Sequence, residues 1–551
     1  MKTIFKKSIK AAAIIAGAAM LMTMWGCGSS NNSAPTNMPT ATDNSSAEAT
    51  AAPTDAATAA PGATSPSSML DEAPPLPDLA GTQQTYPDEE YLPIVESSMK
   101  SVATDPLITF SLKVDTASYR NVARYLDGGN LPPADAVRVE EMMNYFNYDE
   151  VLPENDTPFS IYTEIGKSPF DANKDIAFVR VKSKDIDKSE LPKSNLTFLI
   201  DSSGSMDSYD KLPLLKSSFG LLVDTLTEDD MVSIVTYAGS SAVVLDSVSG
   251  DQKERIMDAI NGLQAGGSTA GASGINTAYQ LAEKNFVQGG NNRVILATDG
   301  DFNVGVSSVS DLEKLISQKR DSGVYLTVLG FGTENLKDNK METLAKNGNG
   351  NYSYIDSVDA GKKVLVDEMG ANLYTIADDV KAQIEFNPAR VSSYRLVGYE
   401  NDMLANSDFN NDAVDAGEIG VGTDVVLMFE FTTTDNGGTL KYQDSAPSPS
   451  GKYPDEFFEV RIRYKDPGQS ESQLITEPVK TDRVLEFNTS DFTFATCVAG
   501  FGELLRGSDY AADINVPQLA AMAKDSLGED KGGYRREFVG LMEKYEAITG
   551  K

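Results

Sequence analysis

The hydrophobic residues between positions 191 and 378 fall into short continuous runs that alternate with amphipathic segments. Three of these runs, 196–200, 293–297 and 325–329, are almost wholly apolar, which is typical of parallel strands covered on both faces. Segments between them, such as 212–226, repeat their apolar positions with helical spacing. Strands that alternate with helices in this way predict a doubly wound α/β domain with a mainly parallel, Rossmann-like sheet.

The pattern differs on both sides of this domain. Residues 91–190 combine strand-like alternation, as at 110–114, with short helical segments, and predict an N-terminal α+β module. Residues 379–551 begin with strand-like runs, such as 424–432, that are separated by turn residues. Helical periodicity then takes over from Phe494. The sequence therefore predicts a β-rich C-terminal domain that is closed by a helical tail.

Residues 1–26 have the pattern of an export signal. The basic start contains Lys2, Lys6, Lys7 and Lys10. The apolar stretch that follows, 11–24, falls short of the ~20 residues that a membrane-spanning helix needs. It ends in Met24-Trp25-Gly26-Cys27, which is similar to the lipobox of bacterial lipoproteins and implies that Cys27 is lipidated and becomes the mature N-terminus. A secretory signal that is cleaved elsewhere is the alternative.

The next segment, residues 27–90, is rich in Ser, Thr, Ala and Pro and has almost no aliphatic periodicity. Such a composition buries too little apolar surface to offset the entropy of the chain, so we expect a disordered tether. A lipid anchor followed by a flexible spacer predicts a protein of the cell envelope, on the extracytoplasmic side. Its contact with the membrane is then made through the N-terminal lipid only.

Composition and charge exclude several classes of function. The chain has 81 acidic and 47 basic residues and a net charge of -34, so nucleic acid and anionic lipid head groups are excluded as partners by repulsion. It has no histidine, which excludes Ser-His-Asp triads, Cys-His dyads and His-ligated metal sites. The two cysteines, Cys27 and Cys497, are too few for a disulfide framework. Cys497 lies in an apolar run and is predicted to be a buried thiol.

Oxygen-bearing side chains follow two of the predicted strands. Asp201, Ser203 and Ser205 form the pattern D-x-S-x-S directly after the first buried strand. Thr269 lies in a glycine-rich loop that opens a helix, and Asp299 follows the second buried strand. Because ligands of a doubly wound sheet bind at the carboxyl ends of its strands, we expect the five side chains to meet. Three hydroxyls and two carboxylates suit Mg²⁺ or Mn²⁺, which prefer about six oxygen ligands and keep several waters.

In order and spacing, these five positions resemble the metal-ion-dependent adhesion site of von Willebrand factor type A domains. The resemblance implies that Ser203, Ser205 and often Thr269 coordinate the metal directly. It implies that Asp201 and Asp299 usually act through water. It also implies that an acidic side chain of a protein partner can complete the coordination shell.

The segments outside the type A region are similar to a bacterial lipoprotein group related to the YfbK-type proteins. Residues 110–148, with Leu-Pro-Pro at 131–133, carry this resemblance in the N-terminal part. Residues 395–401 and 501–506 carry it in the C-terminal part. The group has no settled biochemical activity that the resemblance could imply for this chain.

The sequence thus predicts a cell-envelope lipoprotein that binds a protein partner through a divalent cation, in adhesion or in the assembly of an envelope complex. One alternative is a regulatory scaffold for an envelope protein complex. Another is a metal-dependent phosphotransferase with Asp201 as its nucleophile. Phosphatases of that kind need a second carboxylate two residues later as general acid, and Ser203 stands there instead. We therefore expect no enzymatic activity.

Overall fold

The computed structural model describes residues 86, 88–148, 157–268, 271–301, 309–320, 322–434 and 452–550. The predicted signal peptide (1–26) and Cys27 lie outside the described residues, and so does the tether up to residue 85. Thr269 also lies outside them.

The strands and helices follow one another in three groups along the chain. The strands are β1 (Lys100–Ser101), β2 (Leu107–Ser111), β3 (Phe159–Lys167), β4 (Asp175–Ser183), β5 (Ser194–Asp201), β6 (Met231–Tyr237), β7 (Ser241–Ser249), β8 (Asn291–Thr298), β9 (Tyr325–Phe331), β10 (Tyr352–Ile355), β11 (Thr375–Phe386), β12 (Val391–Val397), β13 (Met403–Leu404), β14 (Gly417–Gly420), β15 (Asp424–Thr433), β16 (Glu456–Lys465) and β17 (Ser472–Lys480). The helices are α1 (Ala117–Asp127), α2 (Val139–Asn144), α3 (Leu212–Thr225), α4 (Lys253–Asn261), α5 (Gly271–Lys284), α6 (Val309–Arg320), α7 (Asp338–Asn347), α8 (Val358–Lys362), α9 (Met369–Leu373), α10 (Ser490–Arg506), α11 (Val516–Asp525) and α12 (Tyr534–Thr549).

The middle domain is built on a sheet with the strand order β10-β9-β8-β5-β6-β7. Neighbouring strands are parallel except for β6 and β7, which are antiparallel. Phe198 and Ile200 of β5 pack in one buried cluster with residues of α3, whereas Leu199 packs in another with residues of α5. Because both faces of the strand are covered, the run is apolar throughout. This arrangement confirms the predicted doubly wound α/β fold.

Two further sheets are built from both flanking segments. Their strand orders are β1-β12-β15-β4-β3 and β13-β2-β11-β16-β17, and β14 pairs with β11. A single buried cluster joins them, with Phe110 of β2, Val179 of β4 and Phe429 of β15 among its members. The sequence suggests separate modules that end at residue 190 and begin at residue 379. The structure instead pairs β2 with β11 and β4 with β15, so that both segments contribute to the same sheets. The boundaries themselves stay predictions.

The helical tail covers the outer face of one of these sheets. Helices α10, α11 and α12 pack with α1 and α2 around one buried cluster, which also holds Phe178 of β4 and Met428 of β15. Cys497 of α10 lies fully buried in this cluster, as predicted, and burial raises the pKa of its thiol to about 12. Within the described ranges, none of the helices has the length and apolar character that crossing a membrane requires.

A buried group of charged side chains joins the N-terminal segment to the middle domain. Asp338, the first residue of α7, is 0% exposed. Its carboxylate accepts hydrogen bonds from Arg138 Nη1 at 2.7 Å, Tyr352 Oη at 2.9 Å and Asn121 Nδ2 at 3.3 Å. Arg138 also pairs with Glu141. A buried charge that loses its partner is strongly unfavourable, so these contacts hold α7 against the N-terminal helices.

Candidate metal centre

The predicted site lies where two neighbouring strands of the middle sheet end. Asp201 is the last residue of β5, and Asp299 directly follows β8. The two strands are parallel, and Ile200 pairs with Ala297. Their carboxyl ends therefore meet at one edge, which brings the two aspartates to the same place, as the strand order predicts.

Asp201 is buried and held by hydrogen bonds on both carboxylate oxygens. The backbone N–H of Ser203 donates to its Oδ1 at 2.9 Å, and the Thr298 hydroxyl donates to its Oδ2 at 3.1 Å. Burial raises the pKa of Asp201 to about 6, and the negative charge of Asp299 adds to the shift. The protein therefore keeps a carboxylate in a place where its negative charge is poorly compensated.

The two serines of the motif stand side by side. Ser203 Oγ and Ser205 Oγ are 3.0 Å apart, in hydrogen-bond contact. Ser203 is buried and Ser205 is partly exposed, so the pair lies between the buried aspartates and the solvent. This arrangement places side by side two neutral oxygen atoms that could serve as metal ligands.

The glycine-rich loop that precedes Thr269 is hydrogen-bonded to the motif. The N–H of Gly204 donates to the carbonyl of Gly267 at 3.1 Å, and the N–H of Gly266 donates to the carbonyl of Ser202 at 2.8 Å. Gly267 has a φ of +84°, which only glycine adopts without strain. The loop thus reaches the motif at the residues that lead to Thr269, although Thr269 itself is outside the described residues.

Asp299 is fully buried and engaged by groups from three parts of the chain. Lys211 Nζ lies 3.0 Å from its Oδ2, and Asn335 Nδ2 donates to the same oxygen at 3.1 Å. The backbone N–H of Asp301 donates to its Oδ1 at 3.1 Å. Gly300 follows with a φ of +86°, packed against Lys337. The carboxylate of Asp299 is therefore fixed in orientation before any ligand binds.

The donor set fits a hard divalent cation. Two buried carboxylates and two neighbouring hydroxyls offer oxygen ligands only, which Mg²⁺ and Mn²⁺ prefer. Asp301, beside Asp299, has a buried Oδ1 without a hydrogen-bond partner among the described residues. Burial and the charge of Asp299 both raise the pKa of Asp301. A cation near these carboxylates would offset their mutual repulsion. Within the described residues, this site included, no three or more Asp, Glu or Cys side chains are grouped closely enough to hold a metal ion by themselves, so the serine hydroxyls would have to contribute.

The structure thus brings together Asp201, Ser203, Ser205 and Asp299 in the arrangement that the spacing predicts, although their binding of a metal stays a prediction. Sequence reasoning missed two residues that shape the site, Lys211 and Asn335. Lys211 directly precedes the helix that follows the motif, but no pattern in the sequence connects it with Asp299. Asn335 carried no signal either, since it reaches the site from the loop between β9 and α7.

Models of known families match three parts of the chain. Residues 85–178 match the family described as von Willebrand factor. Residues 195–365 match the von Willebrand factor type A domain. Residues 371–548 match the family described as uncharacterized protein YfbK, C-terminal.

Relatives match over different lengths. The chain is 43% identical over 494 residues to the uncharacterized protein YfbK of Escherichia coli (strain K12), a match that covers 87% of this chain and 86% of that protein. It is 32% identical over 182 residues to the uncharacterized protein sll0103 of Synechocystis sp., covering 32% of this chain and 41% of that protein. A solved structure, the von Willebrand factor type A protein from Catenulispora acidiphila, is 15% identical with a TM-score of 0.41, and the match covers 73% of this chain and 98% of that one.

Proposed function

We propose that this chain, which belongs to the YfbK family of von Willebrand factor type A proteins, binds a protein partner through a divalent cation held in its type A domain. The type A domain indicates a role in protein interaction or adhesion. The further steps of the proposal concern the cation, the chemistry of the partner and the position of the protein in the cell envelope.

One observation carries the proposal. Two buried aspartates, Asp201 and Asp299, lie at neighbouring strand ends behind two serine hydroxyls that are 3.0 Å apart. Two buried carboxylates that lie close together repel each other, and Lys211, 3.0 Å from Asp299, offsets only one of the two negative charges. A site with neutral oxygens in front and negative charges behind suits a cation that must stay accessible to an outside ligand.

The family resemblance implies which residues would contact the cation directly and which would act through water. Ser203, Ser205 and Thr269 would contact the cation directly, and Asp201 and Asp299 would hold it through water. When Mg²⁺ or Mn²⁺ is bound, an acidic side chain of the partner can complete its coordination shell. The serines can also orient waters at the site, because each hydroxyl both donates and accepts a hydrogen bond. We expect no phosphotransfer, since Ser203 stands where such an enzyme needs a second carboxylate as general acid.

The cation is tested by thermal unfolding with and without a metal. We expect millimolar Mg²⁺ or Mn²⁺ to raise the Tm of the wild type by about 2–6 °C, because a ligand at a hundred times its Kd adds about 2.7 kcal/mol. Asp201→Asn keeps the shape of the side chain but removes its charge and should abolish the rise. Asp207→Ala removes an exposed charge of the same loop and should retain the rise. A wild type whose Tm does not respond to either metal would contradict the proposal.

The position in the cell envelope rests on the N-terminal sequence. We expect Cys27→Ser to move the protein from the membrane fraction to the soluble fraction, because a lipid on Cys27 would be its only anchor. Cys497→Ala removes the other thiol of the chain and should leave the protein in the membrane fraction. If the Cys27 variant stays with the membrane, the anchor is elsewhere. Trp25 is the only tryptophan, so tryptophan emission from the purified mature protein would show that the signal segment had been kept.

A further inference from the structure

We infer that the positive charge of Lys211 is part of the metal site and lowers the affinity of the site for the cation. The cation then keeps more of its charge for binding a carboxylate of the partner. This inference rests on the proposed function, because it assigns a role within the same site. Lys211 is a specificity-determining residue in this scheme: it contacts Asp299 rather than the metal.

The contacts of Lys211 identify it as part of the site. Its side chain is 8% exposed, and its Nζ lies 3.0 Å from Asp299 Oδ2 and 2.7 Å from Asn335 Oδ1. Asn335 in turn donates to Asp299 Oδ2 at 3.1 Å. Lysine, asparagine and aspartate therefore form a closed triangle, in which each side chain fixes the other two.

The chain provides a slot for the stem of Lys211. Gly332 has a φ of +80°, and a Cβ atom placed there would lie 2.2–2.7 Å from three carbon atoms of the lysine side chain. Only glycine therefore fits beside the stem. At the other end, the N–H of Lys211 donates to the carbonyl of Ser208 at 3.1 Å, and its carbonyl accepts from the N–H of Leu215 at 2.8 Å. An exposed lysine that pairs by chance needs none of these supports.

The charges of the site explain why a lysine at this place matters. Asp201 and Asp299 bring two negative charges and Lys211 brings one positive charge, which leaves one negative charge. A dication bound there would leave one positive charge, which a single carboxylate of a partner neutralises. Without Lys211, two carboxylates would neutralise the dication by themselves and little attraction would remain for a third. Asp301 lies nearby, but Lys337 and Lys340 act on it as opposing charges.

Two consequences follow for a variant that lacks this charge. Lys211→Met keeps a long apolar stem in the slot beside Gly332 but removes the ammonium group. It should bind Mn²⁺ about tenfold more tightly, because a repulsive charge near the cation is gone. The bound Mn²⁺ should also have a lower affinity for acetate, which serves as a minimal carboxylate. A lysine that only stabilised the fold would leave both quantities unchanged or weaken the binding of the metal.

The test measures Mn²⁺ affinity by titration calorimetry, and acetate binding by its effect on the water proton relaxation caused by bound Mn²⁺. The variants are Lys211→Met, Lys211→Gln, which can still donate hydrogen bonds to Asp299, and the control Lys216→Met, which removes one positive charge farther along α3. Tighter Mn²⁺ binding with weaker acetate binding in both Lys211 variants, but not in the control, is the expected result. If a folded Lys211 variant binds Mn²⁺ equally or more weakly than the wild type, the inference about Lys211 is wrong, while the proposed function is unaffected. If the wild type does not bind Mn²⁺ at all, the proposed function fails together with it.

Discussion

Replacing Asp338 with alanine is expected to lower the free energy of unfolding by about 3–5 kcal/mol, because it removes the carboxylate to which buried Arg138 donates and leaves Glu141 as the remaining close partner of the arginine. Asp338 is 0% exposed, and Arg138, which donates to it at 2.7 Å, is 2% exposed. Tyr352 Oη also loses its acceptor at 2.9 Å. Denaturant unfolding followed by circular dichroism measures the loss. Glu254→Ala removes an exposed acid from the first turn of α4 and should change stability by less than about 0.5 kcal/mol.

A double variant separates the contribution of the ion pair from that of the uncompensated charge. Arg138→Met combined with Asp338→Leu removes both charges and fills their space with apolar atoms. Replacing a whole buried pair with apolar residues is often neutral or stabilising, so the double variant should be more stable than Asp338→Ala. In the double variant Glu141 no longer has Arg138 as its partner, so part of the loss of stability will remain. Glu342 keeps Lys113 as a nearby positive charge. A loss below about 1 kcal/mol for Asp338→Ala would contradict the role given to this group.

The middle domain was predictable because its signals are local. A parallel strand covered on both faces must be apolar at successive positions, and Phe198, Leu199 and Ile200 reveal this directly. The candidate site was predictable for a related reason. Each of its aspartates comes at the end of such a strand, so that the strand order alone brings Asp201 and Asp299 together.

The two sheets that flank the middle domain were less predictable, because their strands pair with partners far along the chain. β11 carries alternating apolar residues, Val380, Ala382, Ile384 and Phe386, yet the sequence did not separate it from the helices before it. Its register shifts between Asp378 and Lys381, which interrupts the alternation. The strand pairs with β2 on one side and with β16 on the other. Such pairings join segments on both sides of the middle domain, and the periodicity of a single segment contains no information about them.

Lys211 and Asn335 show a similar limit within the site. Their contacts with Asp299 depend on the positions in space of the residue before α3 and of the loop between β9 and α7. The spacing of residue types along the chain does not reveal these positions. The sequence therefore predicts the oxygen ligands of the site, but not the positive charge that balances them.

The interaction with the partner should depend on the divalent cation and resist salt, which is the largest functional effect that we expect. Capture of envelope proteins by the purified chain should occur in Mg²⁺ and fall by at least about tenfold in EDTA, because a coordinating cation is the bridge. Ser205→Ala removes one of the two neighbouring hydroxyls and should reduce capture in Mg²⁺. Ser217→Ala removes a hydroxyl from an exposed position of α3 and should leave capture unchanged.

Added NaCl separates a coordination bond from ordinary charge pairing. The net charge of the chain is -34, so an acidic partner is repelled at long range. Salt screens that repulsion beyond about 10 Å at 0.1 M ionic strength, whereas a carboxylate bound directly to a metal is affected far less. Moderate NaCl should therefore leave capture unchanged or strengthen it as long as Mg²⁺ is present. Capture that persists in EDTA, or that disappears in moderate NaCl with Mg²⁺ present, would show that the partner binds by surface charge and not through the cation.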